Sequence, residues 1–423
     1  MLEAYFVKPQ TVDRVLGSWI GPQVEQYVIA LTEQGYGPST VHRRVPVLLA
    51  FAEFARARGA ACIDDLPAHV DAFVEAQVAR HRRTRRGAGA RSGYAKEIRG
   101  PIEHMLAVVA PGFTGKGRRH LGEPFGEAVP GFFDYLVSER GLRPATVNGY
   151  RHHLHRFEDY LRRIGVERLE DLSPALLSAF VAERSAVGLA KGTVGETCGM
   201  LRVFLRYAYR EGRITRDLSA AVGSPQAYRL SSIPRSISWA DVTRVLAGVD
   251  RRTPCGKRDY AILLLLVTYG LRGREVVALT LDHIDWKHER LAIPERKAGH
   301  STAFPLATAV GEALIDYLQH GRPKTSDRHV FFRAQAPVRP IGNAAVSGCA
   351  RRYLLKAGIN VPRPGSHTLR HTAVQRLVDT GFPLKTIGDF VGHRSAASTE
   401  IYAKVAVEPL RQVALGHGEE VLQ

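Results

Sequence analysis

Hydrophobic positions along this chain recur mostly at helical spacing. In the segment 141–165 (GLRPATVNGYRHHLHRFEDYLRRIG), Leu154, Phe157, Tyr160 and Leu161 return every three or four residues, and Gly165 stands where a helix would be capped. The segment 35–59 (GYGPSTVHRRVPVLLAFAEFARARG) carries the same pattern and aligns with it without a gap. Gly35 pairs with Gly141, Pro38 with Pro144, Thr40 with Thr146, Val41 with Val147, Phe51 with Phe157 and Gly59 with Gly165, each pair 106 positions apart. Asp65-Leu66 and Asp171-Leu172 keep the register, and with one inserted residue Phe73-Val74 meets Phe180-Val181. A constant offset through Gly, Pro, Thr and Phe points to a duplicated unit. Ser39/Thr40 and Thr146 sit where N-caps would begin the shared helix, and a further helix is predicted in each copy, over 95–109 and 193–209.

Beyond residue 237 the pattern changes. Ser238 with Asp241 predicts an N-cap for a helix over 239–246, and 258–269 reads as a buried apolar helix ending at Gly270. Residues 283–286, 291–294 and 302–306 alternate like short strands, with Lys297 in the turn between the last two. Helices are predicted over 307–320, 343–357, 367–380 and 383–391, and a last one carries 398–402. The fold expected is therefore mainly α with a small β-hairpin or sheet. Its domains are a first helical copy (1–118), a second (125–222), a Ser- and Pro-rich linker (223–236) and a C-terminal domain (237–423).

Charge narrows the partners. Lys and Arg number 59 against 41 Asp and Glu, a formal net charge of +18, and such a field attracts polyanions. Nucleic acid is the commonest, with an anionic membrane surface as the competitor. The longest apolar stretch, 261–267, is too short to span a bilayer. The start MLEAYFVKPQTVDR has acidic residues and no continuous apolar segment, so neither membrane nor signal peptide is expected. The four cysteines are far apart and form no CxxC pair, which fits a reducing cytoplasm and no cysteine-rich zinc site. The stretch HRRTRRGAGARSG (81–93), with Arg82, Arg83, Arg85, Arg86 and Arg91, reads as a flexible basic loop, either solvated or touching phosphate.

Taken singly, the polar residues of the C-terminal half have ordinary readings. Arg272 could be a helix-terminal surface arginine, Lys297 a solvated turn residue, Tyr402 a packed aromatic and His371 a buried hydrogen-bonder. Their order alters the odds. TYGLRGREVVAL, RKAGHSTAFPL, SHTLRHTAVQRLVDTG and FVGHRSAASTEIY, in this sequence, resemble the catalytic domain of the tyrosine site-specific recombinases, the phage integrase family, over about residues 237–402. Residues 127–222 are similar to the family's SAM-like core-binding domain. The resemblance implies a first-motif arginine at Arg272 with its acidic partner Glu275, and a hairpin lysine at Lys297, eight residues before Pro305. It further implies a His-x-x-Arg pair at His367 and Arg370, a second histidine at His393, and a nucleophile at Tyr402, nine positions later. Two features depart from the pattern. AGHSTAF follows Lys297 where the family often has more Lys or Arg, and Arg394 adds a basic neighbour and candidate phosphate contact after His393.

The chemistry explains the residue types. Breaking a phosphodiester without metal or water needs a protein nucleophile, and a phosphotyrosine keeps the bond energy for religation. A phenol with a pKa of about 10 needs nearby positive charge and a proton acceptor. Arginine forks suit the two non-bridging oxygens, a protonated lysine suits the leaving 5′-oxygen, and histidines can accept, shuttle or donate. The function expected is site-specific recombination of integrase or transposon type through a 3′-phosphotyrosine, with no cofactor, metal or ATP. The partner is double-stranded DNA, with a dimer on each site and a tetramer in synapsis. The first copy, beyond the minimal clamp, is expected to grip DNA outside the core site or brace a neighbouring protomer.

Three other readings stand beside this one. His367 and His371, four apart on a helix, have zinc-ligand spacing, although the zincin motif would need Glu where Thr368 stands. A catalytically silent DNA-binding protein would not need the full nucleophile set. A topoisomerase-like nicking-closing enzyme would use the same phosphotyrosine chemistry, and only its products would differ.

Overall fold

The computed structural model describes residues 1–81, 88–110, 112–113, 122–226, 236–293 and 302–392, without the side chains of 81 and 88–92. Among these are sixteen α-helices and one three-stranded antiparallel sheet. No helix among them is long and apolar enough to cross a membrane. The chain divides into two compact units, residues 1–115 with 232–423, and residues 116–231.

The first copy contains α1 (Pro9–Leu16), α2 (Gly21–Glu33), α3 (Pro38–Arg56), α4 (Leu66–His81) and α5 (Ala88–Val109). They enclose a core that includes Tyr27, Leu48, Phe51, Phe73 and Met105. The second copy contains α6 (Phe132–Ser138), α7 (Pro144–Arg163), α8 (Pro174–Ala186) and α9 (Lys191–Arg210), closed over Phe132, Leu154, Phe157, Phe180 and Phe204.

The duplication is visible in three dimensions. α3 and α7 begin on the paired prolines, and short 3-10 turns follow at Ile63–Asp65 and Leu169–Asp171, again 106 positions apart. Gly35 and Gly141 before the helix, and Gly59 and Gly165 after it, all take positive φ, where a side chain would be strained. Phe73 meets Phe51 at 5.3 Å and Phe54 at 5.2 Å, while Phe180 meets Phe157 at 5.0 Å and Tyr160 at 5.2 Å. Each copy is thus locked by one ring from the next helix set against two rings of the shared one.

Two local expectations change. The shared helix starts one turn before Thr40 and Thr146 would cap it, with Gly37 and Arg143 as N-caps and no side-chain cap. Proline is preset for the first helical position and has no N–H to leave unpaired there, so it fixes the start instead. The basic stretch is also not all loop. α5 reaches back to Ala88, so Arg91 stands in a helix, in a segment whose Ala and Arg residues favour one. Arg82, Arg83, Arg85 and Arg86 lie outside the described residues.

The C-terminal half begins with α10 (Trp239–Ala247), α11 (Pro254–Tyr269) and α12 (Gly273–Val277). The strands β1 (Ile284–Asp285), β2 (Arg290–Ile293) and β3 (Thr302–Pro305) follow, then α13 (Thr308–His320), α14 (Asn343–Lys356), α15 (Ser366–Asp379) and α16 (Leu384–Val391). Ser238 Oγ accepts from Asp241 N, the cap its sequence predicts. α11 starts earlier than Arg258, because Thr253 accepts from Gly256 N and Pro254 takes the first position. The sheet runs in order β1-β2-β3, with Leu291 opposite both Ile284 and Phe304. α11 packs against both α13 and α15, and its run from Ala261 to Val267 is buried, so it is apolar all round rather than on one stripe.

One polar residue of α11 is fully enclosed. Asp259 accepts from Arg258 at 2.7 Å, pairs with Arg352 at 3.1 Å and accepts from Tyr353 Oη at 3.3 Å. Burial and the neighbouring carboxylate push the Tyr353 hydroxyl up, so it stays a donor. A carboxylate with two guanidiniums and a phenol satisfies the rule that buried charge must be paired and hydrogen-bonded. The result ties α14 to α11.

Because the second copy has its own aromatic core, Phe157→Ala should cost that unit about 3–5 kcal/mol. Hydrogen-exchange protection should fall across α7 and α9 and stay unchanged in α2, α3 and α5.

Candidate functional site

The site begins where α11 stops. Gly270 caps the helix in the left-handed region, with φ of 58°. A Cβ there would lie 3.3 Å from Val391 Cγ1 and 3.5 Å from Ala373 Cβ, so the position favours glycine for conformation and for space. The chain turns at once into α12, with Arg272 as its N-cap. Glu275, only 6% exposed, accepts from Arg272 N and from Arg272 Nη1, both at 2.8 Å. One carboxylate therefore closes the helix start and holds the guanidinium. The other arm of the fork, Nη2, donates to Gly392 O at 2.8 Å. α12 also packs closely on α14. A Cβ on Gly273 would sit 2.3 Å from Asn343 Oδ1.

Arg370 comes from α15 and is 5% exposed. Its Nη1 donates to Gly270 O, and its Nη2 donates to Val391 O at 2.8 Å. Those two carbonyls belong to the C-terminal ends of α11 and α16, where helices leave acceptors unused and the macrodipole is negative. α16 ends like α11, on a left-handed glycine, Gly392 with φ of 65°. Two arginines from distant parts of the chain thus reach adjacent carbonyls, Val391 and Gly392.

His367 lies one turn before Arg370 on the solvent-facing side of α15. Partial burial first, then the charges of Arg370 and Arg272, hold its imidazole below the ordinary 6.5. At neutral pH the ring is neutral and able to accept a proton. His371 is partly buried, its ring centroid 6.4 Å from that of His367. Among the described residues, no group of three or more His, Cys, Asp or Glu side chains gathers that could hold a metal ion.

The fold therefore brings together Arg272, Glu275, His367 and Arg370. Lys297, His393, Arg394 and Tyr402 lie outside the described residues. Sequence reading named the side chains and the pairing of Arg272 with Glu275, and missed the main-chain acceptors. The carbonyls of Gly270, Val391 and Gly392 carry no residue-type signal, although a glycine after each apolar helix was there to be read as a cap. Thr372 was also missed. Its hydroxyl accepts from Ile237 N at 3.0 Å and anchors the entry to α10 beside the site.

Comparison with known proteins places this arrangement. The family model described as "Phage integrase family" matches residues 236–408, and "Phage integrase, N-terminal SAM-like domain" matches 129–212. The "Putative integrase/recombinase y4rA" of Sinorhizobium fredii is 33% identical over 395 residues, 91% of each chain. "Tyrosine recombinase XerD" of Mycobacterium tuberculosis is 29% identical over 311 residues, 68% of this chain and 96% of its own. Among solved structures, a lambda integrase dimer bound to a COC′ core site shares the fold, with a TM-score of 0.52 and 19% identity, over 65% of this chain and 94% of that one. Near-full-length similarity to the Sinorhizobium protein, with both family models matched in order, makes the chain a member of the phage integrase family of tyrosine recombinases.

Proposed function

We propose that this protein is a site-specific DNA recombinase whose nucleophile is Tyr402 and whose phosphate-binding groups are Arg272, Arg370, Lys297, His367 and His393. The observation that supports it most is the convergence of Arg272 and Arg370 on the end of α16 beside His367. Two permanently charged forks and a neutral imidazole suit a scissile phosphate with two non-bridging oxygens.

The step is a transesterification. The Tyr402 phenol oxygen gives its electron pair to phosphorus, and its proton passes to His367. The bond to the 5′-oxygen breaks, and that oxygen takes a proton from Lys297. Arg272 and Arg370 stabilise the charge that grows on the phosphoryl oxygens, His393 donates to one of them, and Glu275 positions Arg272 without reacting. The phosphotyrosine stores the bond for attack by the 5′-hydroxyl of a partner strand. Exchange between two duplexes needs four such nucleophiles, hence a dimer on each site and a tetramer in synapsis. In this reading residues 125–222 bind the core site, 237–423 carry the chemistry, 223–236 link them, and 1–118 form an additional DNA- or protomer-binding domain. Arg82, Arg83, Arg85, Arg86 and Arg394 are further phosphate contacts. A DNA substrate and four cysteines without a CxxC pair support a cytoplasmic enzyme.

Tyr402→Phe should still shift duplex DNA in a gel yet give no protein–DNA adduct that survives denaturant, whereas an adduct of wild-type yield would remove Tyr402 as nucleophile. Arg272→Ala should bind DNA but cleave a nicked suicide substrate about a hundredfold to a thousandfold more slowly. With the bridging 5′-oxygen replaced by sulfur, the leaving group needs no proton. Lys297→Ala should then recover most of its cleavage rate, and equal defects on both strands would assign the acid to another residue. In DNA-free protein the NMR titration of His367 should have its midpoint below 6.5. The ring is then neutral across the neutral range, and the acid limb of the cleavage profile begins only below that value.

A further inference from the structure

The first helical copy holds a cleft of about 550 Å³ between α3 and α5, lined by Tyr36, Arg43, Arg44, Lys96 and His104. Arg44 is fixed in its wall. Its Nη1 donates to Tyr27 Oη at 2.7 Å and lies 2.8 Å from His104 Nδ1, while the guanidinium stacks over the Tyr36 ring at 4.7 Å. None of these partners is an anion. Burial raises the Tyr27 hydroxyl to about 12, so it stays neutral, and burial followed by the Arg44 charge holds His104 below its ordinary value. Among the described contacts only Nη1 of the Arg44 fork is used, which leaves the rest of a planar, permanently charged group to a ligand. Arg43 and Lys96 are exposed at the rim. The acid facing them is Glu97, which meets Arg43 at 3.5 Å in an exposed pair of little energetic weight.

The helix wall adds an independent feature. Gly93 and Gly100 both line the cleft from within α5. A Cβ at either would meet nothing within 4 Å, so internal packing does not demand glycine. Each nonetheless costs the helix about 1 kcal/mol relative to alanine. Glycine without an internal reason, beside uncompensated cations, is what close approach of a ligand backbone requires.

We infer that this cleft between α3 and α5 is a second binding site for the phosphate backbone of duplex DNA, formed by Arg43, Arg44 and Lys96. It rests on the recombinase reading only for the identity of the polyanion.

The test uses the full chain and a fluorescein-labelled duplex of arbitrary sequence, with affinity measured across a salt series. Arg43→Gln with Lys96→Gln changes two exposed side chains and should leave the melting temperature unaltered. The double variant should show a log–log salt slope shallower by about 1.8, from two lost contacts at about 0.9 each. Arg44→Lys should keep the slope and weaken binding several-fold, since a point charge cannot reproduce the fork. Gly100→Ala, which favours the helix, should also weaken binding. Unchanged slope and affinity in all three variants, with wild type binding steeply, would overturn the cleft as a DNA site. Unchanged slope with lost association of protomers on paired sites would also overturn it, in favour of a protein contact. Wild type that binds duplex with no salt dependence would instead sink the recombinase reading.

Discussion

The catalytic half of the chain is organised around a buried guanidinium. Arg370 cannot shed its charge, and moving such a group out of water costs several kcal/mol unless its donors are met. Its described acceptors are main-chain carbonyls at the ends of α11 and α16. Those carbonyls need donors as much as the arginine needs acceptors, because the last turn of a helix has no N–H to offer them. Each side thus solves the other's desolvation problem. The geometry then propagates. Gly270 must stay small for α11 to end beside Val391, α16 must stop where it does, and Arg272 completes the set by reaching Gly392.

A second buried charge holds the scaffold behind this site. Asp259 sits two residues before the buried apolar run of α11 and draws Arg258, Arg352 and Tyr353 around it. α14, which supplies Arg352 and Tyr353, also packs against α12 through Asn343 and Gly273. The helix that begins with Arg272 is therefore braced by the same element that Asp259 secures. Glu275 acts at shorter range, as cap and counter-ion at once.

The duplicated helical copies show what a repeat retains and what it releases. The turn glycines and the proline starts keep their 106-residue offset, and the three-ring aromatic lock keeps it apart from the one residue inserted before Phe180. Elsewhere the copies have diverged. Arg44, half-buried in the cleft wall of the first copy, corresponds to Tyr150 in the second, which is buried in that copy's core. The ring lock is kept because ring packing tolerates little change of volume, whereas away from the rings even buried positions differ, Val45 of the first copy corresponding to the partly exposed Arg151 of the second. XerD of Mycobacterium tuberculosis is matched over 96% of its length by 68% of this chain, while the Sinorhizobium relative shares 91% of it, so the added length is common to some relatives and not to others.

The helical character, the repeated element pattern and the three short strands were legible in the sequence, and the fold brings together four of the residues that it singled out, Arg272, Glu275, His367 and Arg370. Each depends on local periodicity or on ordered spacing within a short segment. Helix boundaries were less so. Pro38 and Pro144 displaced the expected caps, since ring geometry fixes a start more firmly than a hydroxyl one turn later, and α5 took in Arg91 although its glycines read as loop. What the sequence could not disclose is which main-chain carbonyl meets which guanidinium. Arg370 and Gly270 are a hundred residues apart, and a carbonyl looks the same at every position. The enclosure of Asp259 was equally hidden, because a charged residue in an apolar run shows its partners only after α14 has packed. Residue type and spacing singled out the candidate groups. Long-range packing decided which main-chain carbonyls the guanidiniums of Arg272 and Arg370 reach, because that is set by desolvation and the meeting of helix ends.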